Sequence, residues 1–502
     1  MSQNPTLLFS VDRSDARPIF EQLCDTIRRL IHNGVFNADT RLPATRTLAQ
    51  ELAISRSTVV TAYEQLVAEG YLQSKPGAGY RVCGLGETEL PGRTKVLQDN
   101  NKSVGPPRQI SRLKEQLKEP LKEQPDKLLT PSLPDMRLFP YRQWAKTIAR
   151  ICRTRPESML TGSEAVGDQQ LRQAIAHHVR EWRGLEVSAD QVIVTAGATD
   201  ALAISFRILL QPGHNVGLED PGYRPILRQV KGMGLNPVFL RVDSEGASLP
   251  GSPDSHQPEA QLEADAHPDV VVLTPSHQYP LGNTMTPQRR WEYIHWAHKH
   301  QRWIIEDDYD SEFRYIGRPI PAMAGLDQLQ RTLYIGSFAK LFSNTLRLGY
   351  LIVPEPLIAP VRKILSDYSL KAGLMPQPAL AEFIHSGDFY RYLRRVRKIY
   401  SERNKYLVQQ LQTRFNHFGH VQDYSAGMKL VFHLNQTFND VDIVTRTHQA
   451  GLALEALSTA CYQRTDCNGL IMGFAGYTEQ EIHTALDQLL SVLCSCQDIA
   501  AK

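Results

Sequence analysis

Nowhere among the 502 residues does an apolar run approach the roughly 18 that a membrane helix needs, which excludes a helical span. The opening MSQNPTLLFSVDRSDARPIF lacks a basic stretch followed by an apolar one, so no secretory signal is read and a cytoplasmic protein is expected. Cysteine is sparse: seven residues, an odd number, with no Cys-x-x-Cys pair, which reads as reduced thiols rather than a disulfide frame. His295, His298 and His300 crowd one segment without cysteine or acidic spacing, so no metal site is expected. Charge of one sign is also lacking. A formal net charge of +3 gives no bulk argument for nucleic acid, and any such case must rest on placement.

What is present is length for more than one domain and the 42% hydrophobic, 22% charged balance of a globular chain. Ile19, Leu23, Ile27, Leu30 and Ile31 recur at helical spacing. A short helix is expected over Thr45–Glu51 and another over Ser57–Glu69, followed by two strands, Tyr71–Ser74 and Tyr80–Val82. These place a first domain at 1–84. Residues 85–127 turn polar and contain the charge-balanced LKEQLKEPLKEQ, the composition of a flexible linker. From 128 to 502 apolar strands alternate with longer helices, the pattern of a mostly parallel α/β sheet. Strands are expected at 191–195, 215–218, 237–241, 270–274, 303–306, 332–336 and 348–353, with a surface insertion at 244–268. A smaller α+β subdomain is expected from about 365, led by a long helix near 388–415 and closed by one at about 478–494.

The two short helices near 45–69 flank Ala53-Ile54-Ser55-Arg56, a spacing that suits a helix-turn-helix. Ser55 can cap the second helix, whose first turn carries Arg56, Ser57 and Thr58. Free backbone N–H groups there suit a phosphate, and an arginine reaches guanine O6 and N7. Arg46 sits on the preceding helix. Between the strands, Lys75 and the Gly77-Ala78-Gly79 tip suit a close approach to the minor groove.

In Tyr334-Ile335-Gly336-Ser337-Phe338-Ala339-Lys340 an apolar flank leads to a lysine, and a shielded amine is what Schiff-base chemistry needs. A lone lysine of this kind reads as solvated surface. Ser337 three residues before it and Arg347 seven after it change that, since both suit a phosphate ester bound beside it. In Trp303–Tyr309 an apolar strand ends in Glu306, Asp307, Asp308 and Tyr309; Asp307 suits a ring nitrogen and Tyr309 a phenolic oxygen. The Gly197-Ala198-Thr199 turn after a strand offers backbone N–H groups to a phosphate. Tyr223 suits stacking on a flat ring.

RLPATRTLAQELAISRSTVVTAYEQLVAEGYLQSKPGAGYRV resembles the GntR-type winged helix, and the later elements, in their chain order, resemble fold type I aminotransferases. With TPSHQYPLG, EDDYDSEFRY and GSFAK…LRLGY, the whole chain resembles the MocR-type subfamily of GntR regulators. The fold class implied is a winged helix-turn-helix plus an α/β domain of the pyridoxal-phosphate (PLP) dependent transferase type. The resemblance implies Lys340 as the Schiff-base lysine, Asp307 at the pyridinium and Tyr309 at the phenolic oxygen. It implies Ser337, Arg347 and the Gly197–Thr199 turn at the phosphate, operator DNA as a partner, and a head-to-tail homodimer.

Three positions depart from the family pattern. Gly162 stands where a tyrosine reaches the partner subunit's phosphate. Tyr279 stands where aminotransferases place an asparagine. Gly469–Phe474 holds no substrate-binding arginine, which leaves Arg224, Arg228 and Arg464 as open alternatives for an effector carboxylate. The expected function is a transcriptional regulator that senses PLP, or an amine or amino acid through an aldimine at Lys340. The alternatives are a working aminotransferase with an auxiliary DNA-binding arm and a catalytically dead dimerisation scaffold.

Overall fold

The structure is a computed structural model and describes residues 9, 11–13, 15, 17–75, 79–83, 127–160, 164–251, 267–317, 320–368, 370, 372–422 and 426–500. The chain divides into two compact units, Met1–Pro120 and Leu121–Lys502. The sequence repeat LKEQLKEPLKEQ, the turn residues Pro76–Ala78 including Gly77, and Gly162 lie outside the described residues, as does the side chain of Lys75.

The first unit runs α1 (Ile19–His32), α2 (Thr45–Glu51), α3 (Arg56–Ala68), β1 (Leu72–Lys75) and β2 (Gly79–Val82). Leu23, Ile27 and Ile31, four residues apart, place one stripe of α1 over Leu48 of α2 and over Val59, Ala62, Tyr63 and Leu66 of α3. Leu72 and Val82, a directly opposed pair of the antiparallel hairpin, close the same core. Arg28 joins Asp25 to Glu69 at the end of α3, each at 2.7 Å.

The second unit is built on an eight-stranded sheet of order β3-β10-β9-β8-β7-β4-β5-β6. Its strands are β3 (Val192–Thr195), β4 (Asn215–Asp220), β5 (Asn236–Asp243), β6 (Gly246–Ala247), β7 (Val270–Leu273), β8 (Trp303–Asp308), β9 (Thr332–Ser337) and β10 (Gly349–Ile352). Neighbours pair in parallel except that β10 is antiparallel to β3 and β9, and β6 is antiparallel to β5. Strands covered on both faces need continuous apolar runs, and β3, β7 and β10 are buried at every residue. Of the expected insertion at 244–268, residues 244–251 and 267–268 are described. Asp243 Oδ1 accepts the Glu245 N–H at 2.7 Å, and the chain turns back as edge strand β6.

A second sheet, of order β11-β12-β14-β13, comprises β11 (Gly419–Val421), β12 (Lys429–Leu434), β13 (Glu455–Ala456) and β14 (Gly469–Gly473), all antiparallel. The 27-residue helix Asp388–Arg414 leads this part and Glu479–Ala500 closes it. Tyr400, Leu407, Leu411, Leu486 and Leu489 are core residues here. Among the described residues no helix is long and apolar enough to cross a membrane.

Candidate functional site

Parallel strands deliver their carboxyl ends to one edge, and the loops beyond that edge carry the polar residues. Thr195, Asp220, Leu273, Asp308 and Ser337 end β3, β4, β7, β8 and β9 there. Because β10 runs the opposite way, its first residue comes to the same edge: Gly349 lies opposite both Thr195 and Ser337. Arg347, two residues earlier, therefore enters beside Ser337 and the turn that follows Thr195. This register joins three candidate phosphate groups that are far apart in sequence.

The turn itself is tight. Gly197, at φ +100°, precedes the helix Ala198–Leu209, and no side chain caps that helix start. A Cβ on Gly349 would lie 2.9 Å from Gly197 Cα and 3.0 Å from the Gly336 carbonyl oxygen, so three backbones meet where no side chain fits. A Cβ on Gly197 would meet nothing within 4 Å, which leaves its outer side open as an N–H-lined cradle. Ser337 caps its own turn, accepting the Ala339 N–H at 3.2 Å. Arg347 is exposed and forms no ion pair among the described residues.

The three carboxylates of β8 separate by strand alternation. Glu306 and Asp308 share one face with Arg183, whose Nε lies 2.8 Å from Asp308. Asp307 points the other way. It is 8% exposed and its Oδ1 has no hydrogen-bond partner among the described residues. Burial, with the nearby charges of Asp308, Glu219 and Asp310, pushes Asp307 up to about 7. Glu219, at the end of β4, is also pushed up to about 7 by burial, although it accepts from Thr274 and Gln278. A buried carboxyl with a free oxygen suits one partner above others, a protonated nitrogen donor.

Lys340 lies three residues after the Ser337 cap, and its Nζ donates to the Ser132 carbonyl at 3.0 Å. Burial holds its amine below the ordinary lysine value, against the pull of Asp310 and Glu455. Tyr309 follows β8 with its hydroxyl 3.1 Å from His277 Nδ1, and His277 Nδ1 is 2.9 Å from Asp310 Oδ1. Tyr223 is 43% exposed and stands edge-on to Tyr279, ring centroids 5.1 Å apart.

Sequence reading missed Lys429. This lysine begins β12 of the other sheet, is 3% exposed, and donates from Nζ to Tyr309 Oη at 3.1 Å. Its Nζ also lies 4.5 Å and 5.1 Å from the ring centroids of Tyr279 and Tyr309. Its one sequence signal is a lysine opening the apolar run Leu430-Val431-Phe432.

The three effector arginines differ in what they have left to offer. Arg464 has Nε and Nη2 on Asp466 and Nη1 on the Val242 carbonyl, so three of its five N–H donors are engaged. Arg224 gives Nε to the Thr459 carbonyl and keeps its outer nitrogens. Burial holds the Tyr223 phenol above its ordinary value, and Arg228 is near enough to oppose that rise.

In the first unit, Ser55 accepts the Thr58 N–H at 3.1 Å and so fixes the start of α3 at Arg56, one residue earlier than expected. Ser57 and Thr58 hydroxyls both lie 2.7 Å from Ser55 Oγ. Arg56 and Arg46 are exposed; Arg56 Nε reaches Thr45 Oγ1 at 3.4 Å. Gly79 is also exposed. This is a helix N-terminus with donors turned to solvent.

Residues 20–82 match the gntR family of bacterial regulatory proteins, and residues 133–489 match aminotransferase class I and II. The chain is 33% identical over 493 residues to the probable rhizopine catabolism regulatory protein MocR of Rhizobium meliloti, covering 98% of this chain and 97% of that one. It is 31% identical to the pyridoxine biosynthesis transcriptional regulator PdxR of Corynebacterium glutamicum, covering 93% and 94%. An archaeal alanine:glyoxylate aminotransferase shares the fold at TM-score 0.67 and 22% identity, covering 76% of this chain and 93% of its own. So does the α-aminoadipate aminotransferase LysN of Thermus thermophilus, complexed with a phosphopyridoxyl-leucine, at TM-score 0.67 and 22% identity, covering 77% and 95%. The chain belongs to the MocR-type subfamily of GntR-family transcriptional regulators, in which a winged helix is fused to an aminotransferase class I and II domain.

Proposed function

We propose that the chain is a cytoplasmic DNA-binding regulator that holds PLP through Lys340 and senses the cofactor itself or an amine or amino-acid effector. One observation carries this reading. The chain that bears an exposed, capped helix start also bears a buried carboxylate, Asp307, with an oxygen free, at the sheet edge that carries Lys340. Asp307 would hold the proton on the ring nitrogen, which is what makes bound PLP an electron sink. Tyr309 would donate to the phenolic oxygen. Ser337, Arg347 and the N–H groups of Gly197, Ala198 and Thr199 would hold the phosphate, and Tyr223 would lie against the ring. Arg46, Ser55, Arg56, Ser57, Thr58, Lys75, Gly77 and Gly79 would form the operator face, with Arg56 reading base edges. Arg224, Arg228 or Arg464 would meet an effector carboxylate. A head-to-tail homodimer would present two winged helices to two half-sites.

The test uses duplexes selected from a random pool by the full chain. Arg56→Ala is expected to lose their retention while the absorption of the PLP–lysine adduct is unchanged, and Lys340→Ala is expected to lose the adduct. Retention of the same duplexes by Arg56→Ala would count against the operator face. Sustained transamination between amino and keto acids that survives removal of residues 1–84 would favour the enzyme reading.

A further inference from the structure

Among the described residues Tyr309 has two polar neighbours at hydrogen-bond distance, His277 and Lys429, and neither accepts from it. His277 Nδ1 is within 2.9 and 3.0 Å of both Asp310 oxygens. A carboxylate only accepts, so the Nδ1 hydrogen belongs to Asp310 and that nitrogen has no lone pair for the Tyr309 hydroxyl 3.1 Å away. The ammonium of Lys429, 3.1 Å on the other side, has donors only. The hydroxyl hydrogen of Tyr309 is thereby left pointing at neither. It is available to an acceptor that enters the site.

Lys429 is buried in this position. Its Nζ lies 4.5 Å from the Tyr279 ring centroid, where the ring quadrupole favours a cation, and meets Tyr309 at its hydroxyl edge. Tyr279 presents its ring to the amine and turns its own hydroxyl toward Glu455, 3.5 Å away. The charged groups that act on Lys429 are Asp310 and Glu455, which favour the ammonium, and Lys340, which opposes it. Burial outweighs the acids and brings Lys429 down to about 8.

We propose that Lys429 is a positioning residue for the cofactor's phenolic oxygen: clamped by Tyr279 and bonded to Tyr309 Oη, it turns the Tyr309 hydroxyl hydrogen toward that oxygen and keeps a positive charge beside the Lys340 nitrogen. This rests on the cofactor reading above. The charge disfavours a proton on the nitrogen of the PLP–lysine adduct, because like charges repel in a buried site. Neutral Lys429, above about pH 8, would lose that effect and would also accept from Tyr309.

The experiment follows the adduct's absorption against pH in the full-length, PLP-loaded chain. Lys429→Met, which keeps the bulk and removes the charge, is expected to move the protonation midpoint up by about one unit, a tenfold change in proton affinity. Lys429→Gln keeps a donor without charge and is expected to move it equally; it reads the same shift where the methionine chain does not fold. In a Tyr309→Phe background the shift is expected to persist, because the charge acts through space on the Lys340 nitrogen. Only the share carried through the hydroxyl would vanish. Midpoints in both single variants that coincide with the unaltered chain, or that move down, overturn the proposal while leaving the cofactor reading intact. Absence of any adduct in the unaltered chain fails the cofactor reading instead. A purely structural role would lower the melting temperature without moving the midpoint.

Discussion

Asp307 shows how one residue trades stability for binding. Burial pushes its carboxyl to about 7 and leaves Oδ1 without a partner among the described residues. The folded chain therefore holds this proton more tightly than the unfolded chain does. The resulting stability is fully present below about pH 4 and is lost as pH rises through about 7. Glu219, also at about 7, adds to the same slope. The cofactor-free chain is thus expected to melt at a lower temperature at pH 8 than at pH 5. Asp307→Asn should flatten part of that slope, by a few kcal/mol at most, because an amide carries no charge to bury. The same change should weaken PLP binding at least tenfold, about 1.4 kcal/mol, since the ring nitrogen loses its counter-charge. Thermal melts without PLP and spectral titrations with it read the two effects. A variant that binds PLP as before would remove Asp307 from the ring nitrogen.

At the scale of elements, the antiparallel β10 does what no local motif could. Its register sets Gly349 against Thr195 and Ser337, and so carries Arg347 to the turn at Gly197. Gly349→Ala would drive a methyl to 2.9 Å from Gly197 Cα, and strand or turn must move. Expected are a loss of about 1–3 kcal/mol from overpacking and a weaker hold on phosphate-bearing ligands. Inorganic phosphate competing less well against PLP would be the specific sign. In the other unit, Ser55→Ala removes the α3 cap at a cost of about 1 kcal/mol, read by thermal melts, with loss of duplex retention. Much of this was legible in the sequence. The seven expected strands are present because each is an apolar run of strand length, and the Ser55 cap and the Asp307 strand end are local patterns. What was not legible joins residues distant in sequence. Lys429 meets Tyr309 across two sheets, and the His277–Asp310 pair forms from two loops. The one-residue shift at α3 follows from the cap at Ser55, which makes Arg56 the first helical residue.

For the whole molecule, two self-sufficient cores carry two kinds of binding. The hydrophobic cluster of the first unit draws only on residues 9–82, and those of the second only on residues 128 onward. Each unit therefore buries its own apolar surface. On the proposed reading, regulation comes from a difference in effector affinity between DNA-binding and released arrangements. Thermodynamic linkage makes that difference reciprocal: a ligand that weakens operator binding by some factor is itself bound more weakly, by the same factor, when operator is present. We expect a factor of about 5–150, or 1–3 kcal/mol. It is measurable by titrating PLP or amine ligands into the chain with and without a selected duplex, and the duplex with and without the ligand. In Lys340→Ala the coupling should vanish while duplex affinity persists, because the group through which the effector bonds is gone and the winged helix is untouched. Equal factors in both directions, lost together in that variant, would tie the Lys340 site to the Arg56 helix as one switch. Unequal factors would mean that the ligand also binds outside the Lys340 site.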